Sequence, residues 1–211
     1  MLTVDLLRHA PTAWNDAGRM QGRRDVPLGA AGRAQARGWR LPCDVGRDVR
    51  LVSSPLVRAI ETARLLCHRE PEISPALIEM DWGAWEGFSL RELHSRHGDA
   101  FVRNAERGLD FRPPGGESPR DVMTRALAWI DAVVRVGAPV VAVTHNGVLR
   151  AVLAAATGWD MTGKPPVRLR PGTLQRFAVN DAGSLRLVEG NVPLSADASR
   201  PPRPAPSAVP P

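Results

Sequence analysis

The chain has 211 residues, enough for one sizeable α/β domain. It contains no apolar run of 18 residues and no signal-peptide pattern at its N-terminus, so we expect neither a membrane span nor secretion. The two cysteines, Cys43 and Cys67, are too few for a disulfide framework and show no metal-binding spacing. We therefore expect a reduced, cytoplasmic protein with no membrane partner.

The net charge is +6, with 28 Lys and Arg against 22 Asp and Glu. An excess of basic over acidic residues can indicate nucleic-acid binding. Here the basic residues are almost all Arg, Lys164 being the only lysine, and they are dispersed without a run of five or interleaved aromatic residues. We expect no nucleic-acid partner, although a positive field would help to attract a small anionic substrate.

The first half of the chain begins with a short apolar strand predicted over residues 2–7. Turn-forming residues then continue to Val26, a length that is typical of a functional connection. A helix is predicted over residues 30–41 and a strand over 49–52. Ser53-Ser54-Pro55 then predicts a helix that begins with a Ser cap and a Pro at its first position and ends near Cys67.

The second half begins with an extended segment predicted over residues 73–80 and a helix over 89–97 with a Ser89–Glu92 capping box. Residues 98–114 are mixed. Ser118 caps the longest predicted helix, 119–136. A Val-rich strand at 139–143 and an apolar helix at 148–157 follow, and the last predicted strands are 174–179 and 185–189.

This alternation of strands and helices predicts an α/β fold: a three-layer α/β/α sandwich with a mostly parallel central sheet. We expect a single domain over residues 1–192. Residues 193–211 are rich in Pro, Ala and Ser and offer little to bury, so we expect a disordered tail there.

Two histidines follow directly on buried strands. Arg8-His9 comes after the first strand, and His145 comes after the strand at 139–143, just before a helix. Ligands of open α/β sheets bind beyond the carboxyl ends of strands, and helix N-termini favour anions. A guanidinium suits phosphate, and an imidazole is a nucleophile near neutral pH. The pair therefore predicts an anion-handling site.

Two further candidates are weaker when taken alone. Arg58 lies one turn into the helix that follows the second strand. Glu79 lies among aromatic residues and glycines, where burial would raise its pKa and make it a proton donor. Asp81 and Glu86 are equally good acids on chemistry alone.

These residues carry a resemblance to the histidine phosphatase superfamily, in the branch of cofactor-dependent phosphoglycerate mutase and the fructose-2,6-bisphosphatases. It covers most of residues 3–190. The matching segments are Arg8-His9, Asn15, Gln21-Gly22, Ser54 to Ala63, Glu79 with Gly83 and Trp85-Glu86-Gly87, and Thr144-His145. One position departs from the pattern: Ala10 replaces the glycine of the family's Arg-His-Gly signature. A methyl group there matters most if φ is positive.

The resemblance implies a phosphoglycerate mutase-like fold and a phosphohistidine mechanism that needs no metal or other cofactor. It implies His9 as nucleophile, Glu79 as acid and then base, and charge stabilisation by Arg8, Arg58 and His145. The residues implied to bind substrate are Asn15, Gln21, Gly22 and Asn146.

The resemblance favours a phosphatase acting on a small phosphorylated metabolite. Residues 111–118 are similar to the corresponding segment of broad-specificity and α-ribazole phosphatases, which makes α-ribazole 5′-phosphate a candidate substrate. The alternatives are mutase-type phosphoryl transfer and, because of Ala10, a non-catalytic protein that binds phosphorylated ligands. We expect a monomer or a homodimer.

Overall fold

The computed structural model describes residues 2–46, 48–180 and 183–194. Six strands form one sheet: β1 (Leu2–Arg8), β2 (Arg50–Ser53), β3 (Glu72–Ile73), β4 (Val140–Thr144), β5 (Thr173–Val179) and β6 (Leu185–Pro193). The α-helices of the described ranges are α1 (Ala13–Asp16), α2 (Ala30–Gly38), α3 (Val57–Cys67), α4 (Leu90–Ala105), α5 (Pro119–Val136) and α6 (Asn146–Thr157).

The strand order is β3-β2-β4-β1-β5-β6. The first four strands are parallel to one another, whereas β5 and β6 add antiparallel strands beside β1. The predicted mostly parallel sheet is therefore confirmed. Strand β4 lies between β1 and β2 and is buried along its whole length, as its unbroken apolar run indicates.

Helices cover both faces of the sheet, which confirms the three layers. Leu6 and Ala142 face a core formed with α5 and α6, which includes Ile130 and Val152. Their chain neighbours Leu7, Val141 and Val143 face the opposite core, formed with α2 and α3. This division follows from the two-residue side-chain period of a strand.

The start of α3 differs from the prediction. The helix begins at Val57, with Leu56 in an extended conformation, rather than at Pro55. The Ser54 hydroxyl accepts the Leu56 N–H and contacts a histidine, while Asp25 accepts the Val57 N–H at 2.7 Å. A carboxylate from a distant loop therefore caps the helix, which sequence neighbours could not indicate.

Three other predictions also needed correction. Of the extended segment predicted over residues 73–80, only Ile73 pairs as a strand, as part of β3 (Glu72–Ile73), because a 3-10 turn at Pro75–Leu77 follows it. Helix α4 runs on to Ala105 through a kink at Gly98. The packed chain also continues two residues beyond the expected boundary at 192, since β6 includes Pro193 and Leu194 is buried. The remainder of the expected tail, 195–211, lies outside the described residues.

Across the described ranges, the search for a helix long and apolar enough to cross a bilayer found none.

Gly32 permits close contact between α2 and the loop that follows His9. A Cβ at Gly32 would lie 1.9 Å from the Pro11 carbonyl oxygen, whereas a Cβ at Gly38 of the same helix would meet nothing within 4 Å. We expect Gly32→Ala to lower the free energy of unfolding by about 1–3 kcal/mol through overpacking. Gly38→Ala is the matched control and should be neutral or stabilising by up to about 1 kcal/mol. Urea denaturation measures both, and equal stabilities of the two variants would contradict the proposed close packing.

Candidate active site

The register of the parallel strands brings the candidate residues to one edge of the sheet. Arg8 pairs with Thr144 across β1 and β4, and Ser53 pairs with Val143 across β2 and β4. The pairing continues one residue further, since the His9 N–H donates to the Thr144 carbonyl at 2.9 Å. The residues that follow these three strands therefore lie side by side.

His9 is buried, and its Nδ1 lies 2.7 Å from the carbonyl oxygen of Ala10. Because a carbonyl oxygen can only accept a hydrogen bond, Nδ1 must be the donor and carries the proton. In the neutral ring, Nε2 therefore keeps its lone pair. Burial, followed by the charges of Arg8 and Arg58, holds the pKa of His9 well below its ordinary value. The ring is therefore neutral at neutral pH and has one nitrogen available as a nucleophile.

Arg58 is fully buried and forms no ion pair with a carboxylate among the described residues. Its two terminal nitrogens donate to the carbonyls of Gly22 and Arg24, each at 2.8 Å. The Nε atoms of Arg58 and Arg8 are buried without a hydrogen-bond acceptor among the described residues. Buried cationic donors in this condition are costly unless an anion pairs with them, so the site favours an anion such as phosphate.

His145 lies beside His9, with the two ring centroids 5.1 Å apart. Its Nε2 is 2.6 Å from the Ser54 hydroxyl, while its buried Nδ1 has no partner among the described residues. Burial lowers the pKa of His145 well below its ordinary value, with the nearby charges of His9 and the arginines adding to the effect. Sequence reasoning missed Ser54 because a Ser before Pro resembles a helix cap.

Glu79 joins this cluster from the segment after the 3-10 turn at residues 75–77. Its carboxylate accepts the N–H of Met80 at 2.8 Å and the N–H of Gly147 at 3.0 Å. Burial raises the pKa of Glu79, although these N–H groups and the two arginines oppose the shift. Gly147, which sequence reasoning also missed, leaves room for the carboxylate, since a Cβ there would lie 2.3 Å from Oε1.

The two rival carboxylates have other partners. Asp81 accepts the Gly83 N–H at 2.8 Å, and Glu86 accepts the Arg23 N–H at 2.7 Å. Of these three acids, Glu79 alone lines the large cavity described below. The tertiary structure thus separates side chains that are equivalent by chemistry.

The four predicted substrate-binding residues also line that cavity. Gln21 is buried, and its Oε1 has no hydrogen-bond partner among the described residues. Gly22 has φ of +52°, and its carbonyl accepts a hydrogen bond from Arg58. Asn15 uses its carbonyl oxygen to accept the Thr12 N–H in the α1 capping box. Asn146 begins α6, where N–H groups without helical acceptors favour an anion.

Ala10 is accommodated without strain. Its φ is not among the positive values of the chain, and its N–H donates to the Thr62 hydroxyl at 3.0 Å. Its methyl group is fully buried in the core beside α2 and α3. The departure from the glycine of the signature therefore imposes no left-handed backbone, and the argument for a non-catalytic protein loses its support.

The cavity has a volume of about 940 Å³. His9, Arg8, Arg58 and Glu79 line it, together with apolar side chains of α4 and the following loop, namely Leu90, Phe101 and Phe111. The guanidinium of Arg150 also lines it and lies over the Trp159 ring at 4.8 Å from the ring centroid. The described residues contain no group of three His, Cys, Asp or Glu residues that could hold a metal ion.

Comparison with known proteins agrees with this geometry. The model of the histidine phosphatase superfamily (branch 1) matches residues 4–191. A 2,3-bisphosphoglycerate-dependent phosphoglycerate mutase from Methylobacterium radiotolerans is 35% identical over 189 residues, covering 83% of this chain and 88% of the relative. Phosphoserine phosphatase 1 from Hydrogenobacter thermophilus is 32% identical, covering 77% of this chain and 79% of the relative.

A solved structure is similar over nearly the whole chain. The mycobacterial glucosyl-3-phosphoglycerate phosphatase in complex with VO3 has a TM-score of 0.76 and 26% identity, covering 91% of this chain and all of that one. Since the family match spans both strand-end histidines, Arg58 and Glu79, it contains every residue of the site described above. The chain belongs to branch 1 of the histidine phosphatase superfamily.

Proposed function

We propose that the protein hydrolyses small phosphate monoesters through a phosphohistidine at His9. The observation that carries this proposal is the Nδ1–H···O=C bond from His9 to Ala10, which leaves Nε2 as the free nucleophile beside Arg58, which is fully buried, and Arg8, which is half-buried. A site that only bound phosphate would need the cations but not a neutral imidazole held in this tautomer.

In the first step, the Nε2 lone pair of His9 attacks phosphorus and the bond from phosphorus to the ester oxygen breaks. The leaving oxygen takes the proton of Glu79, whose pKa is raised by burial in favour of the protonated form. Arg8, Arg58 and His145 stabilise the charge on the phosphoryl oxygens. The products are the free alcohol, ionised Glu79 and a phosphorylated imidazolium.

In the second step, water attacks the phosphoryl group and the N–P bond breaks. Glu79 accepts the proton of that water, so it returns to its starting state, and inorganic phosphate leaves. Both steps proceed through side chains alone. Asn15, Gln21, Gly22 and Asn146 complete the polar lining around the phosphate.

The substrate class follows from Arg150. It lies four residues after Asn146 on α6, so both side chains lie on one helix face. Among the described residues, its guanidinium has no carboxylate or carbonyl acceptor, although it is packed on Trp159 in the wall of the cavity. We propose that it binds a carboxylate on the leaving alcohol, as phosphoglycerate and phosphoserine would supply. The names of the similar proteins agree with such esters.

His9→Ala should lower phosphatase turnover by about 10³-fold or more, as removal of a nucleophile does in other covalent enzymes. It should also abolish transfer of labelled phosphate from substrate to protein. His94→Ala, on the exposed side of α4, is the matched control and should retain activity. Substantial turnover in His9→Ala would overturn the assignment. Exchange between 2- and 3-phosphoglycerate that outpaces phosphate release would favour the mutase alternative.

The pH dependence of kcat/KM should reflect the opposite pKa shifts of His9 and Glu79. Attack needs neutral His9, whose pKa lies below 6.5, so kcat/KM should remain high on the acid side of that value. Proton donation needs protonated Glu79, whose pKa is raised above 4.5, so kcat/KM should fall only at a pH above that value. The profile is measured after correction for the ionisation of the ester phosphate, with a pKa of about 6.

Glu79→Gln tests whether Glu79 causes the loss of kcat/KM at alkaline pH, because the Gln amide cannot donate a proton to the leaving oxygen. The first-turnover release of an alkyl alcohol should slow by about 10²-fold. Release of 4-nitrophenol, which leaves without protonation, should slow far less. Equal losses with both esters would contradict the role of Glu79 as general acid.

Arg150→Met should raise KM for 3-phosphoglycerate and phosphoserine by about 10- to 100-fold, the scale of a lost charged hydrogen bond. The same variant should keep the wild-type KM for 4-nitrophenyl phosphate and α-ribazole 5′-phosphate, which have no carboxylate. Steady-state kinetics over this panel measures both. Unchanged KM for the carboxylate esters, or a wild-type preference for α-ribazole 5′-phosphate, would contradict the proposed substrate class.

A further inference from the structure

We propose that Arg23 and Glu117 are positioning residues. They hold the segment of the general acid, residues 78–88, against the phosphate-binding loop, which contains Gln21 and Gly22. The inference rests on the proposed function, because it concerns the proton donated by Glu79. Both residues lie outside the set that sequence reasoning assigned to the site.

The segment that carries Glu79 has little regular structure of its own. Between Ile78 and Phe88 it contains only a single 3-10 turn at Gly83–Trp85, with positive φ at Gly83 and Gly87. It is therefore not held by a sheet or by a long helix. The placement of the acid depends on contacts from neighbouring segments, and an error of about 1 Å in such a position can cost 10²-fold in rate.

Glu117 holds this segment from the side of α5. Its N–H donates to the Asp81 carbonyl at 3.0 Å, and its Oε2 accepts the Asp81 N–H at 3.1 Å. The carboxylate is itself held by Arg125, which donates from Nε and Nη2 at 3.2 and 3.1 Å. Arg125 also donates to the Ala76 carbonyl. The backbone at Asp81, two residues after Glu79, is thus held by the Glu117 side chain, which Arg125 holds in turn.

Arg23 connects the phosphate-binding loop to the same point. Its Nη2 lies 2.8 Å from Glu117 Oε1, and its Nη1 lies 3.5 Å from Asp81 Oδ2. Its backbone N–H donates to Glu86, at the far end of the segment. Since Arg23 follows Gln21 and Gly22 directly, one residue spans from the loop that binds phosphate to the segment that supplies the proton.

The charges in this bridge are balanced. Asp81 and Glu117 are both paired with Arg23, and Glu117 is also paired with Arg125. The Arg125 and Glu117 side chains are only 19% and 20% exposed, so this pair is better shielded from solvent than an ordinary surface ion pair. The bridge therefore restrains geometry and also neutralises two carboxylates near an anion-binding site.

The test compares Arg23→Met, Glu117→Gln and the double variant with two esters. One is 4-nitrophenyl phosphate, whose leaving group needs no proton. The other is the alkyl ester, 3-phosphoglycerate or phosphoserine, that the wild-type protein cleaves faster. First-turnover alcohol release from the alkyl ester should fall about tenfold in each variant, a part of what general acid catalysis supplies. The rate with 4-nitrophenyl phosphate should change less than about threefold.

The loss in the double variant should be smaller than the product of the two single losses, because Arg23 and Glu117 share an ion pair. Arg23→Lys, which keeps the charge, should recover most of the alkyl-ester rate. Arg64→Met removes an arginine from an exposed pair with Glu70 and serves as the control, with wild-type rates expected for both esters.

Equal losses with both esters, or no loss with the alkyl ester, would overturn the positioning role. A thermal unfolding scan of each variant accompanies the kinetics, and an equal loss caused by poorer folding counts against the proposal in the same way. A wild-type protein that cleaves neither ester would instead overturn the proposed function, so the two failures are distinguishable.

Discussion

The parallel pairing of β1 and β2 on either side of β4 places His9, Ser54 and His145 at one edge of the sheet. Arg8 lies opposite Thr144, and Ser53 lies opposite Val143, so the three strands end within one residue of each other. A slip of one residue would move the core-facing side chains to the wrong face of the sheet. Because β4 is buried on both faces, packing excludes such a slip and fixes the positions of His9, Ser54 and His145.

Burial has opposite effects on the pKa values of His9, the proposed nucleophile, and Glu79, the proposed acid. Removal from water disfavours the charged form, so it lowers the pKa of His9 and raises that of Glu79. One physical cause thus favours the neutral imidazole of His9 and the protonated carboxyl of Glu79 in the same cavity, the pairing of environments that separates roles in acid–base catalysis. The buried arginines partly oppose the shift of Glu79 and deepen that of His9, since a positive charge disfavours the imidazolium.

Arg58 shows how a buried cation can serve both structure and chemistry. Its terminal nitrogens hold the carbonyls of Gly22 and Arg24, which shapes the loop of Gln21 to Asp25, while its Nε has no acceptor in the described part of the chain. Asp25 of the same loop caps the helix that carries Arg58. The loop and the helix therefore stabilise each other, and Glu86 and Arg23 extend the arrangement to the segment of the acid.

The sequence alone determined the class of fold, because strand and helix periodicity record which faces are buried. It also indicated His9, His145 and Arg58, since each follows a buried strand or the first turn of the next helix. Residue chemistry alone left Glu79, Asp81 and Glu86 equivalent, the family resemblance pointed to Glu79, and the tertiary structure gives the other two acids other partners. Only the tertiary structure showed that Ser54 contacts His145 instead of capping α3, and that Ala10 needs no positive φ. These questions depend on partners that are distant in the chain. Local sequence patterns record which face of a strand or helix is buried. The pKa values and hydrogen-bond partners of the residues at a site are set by the distant segments that fold against them.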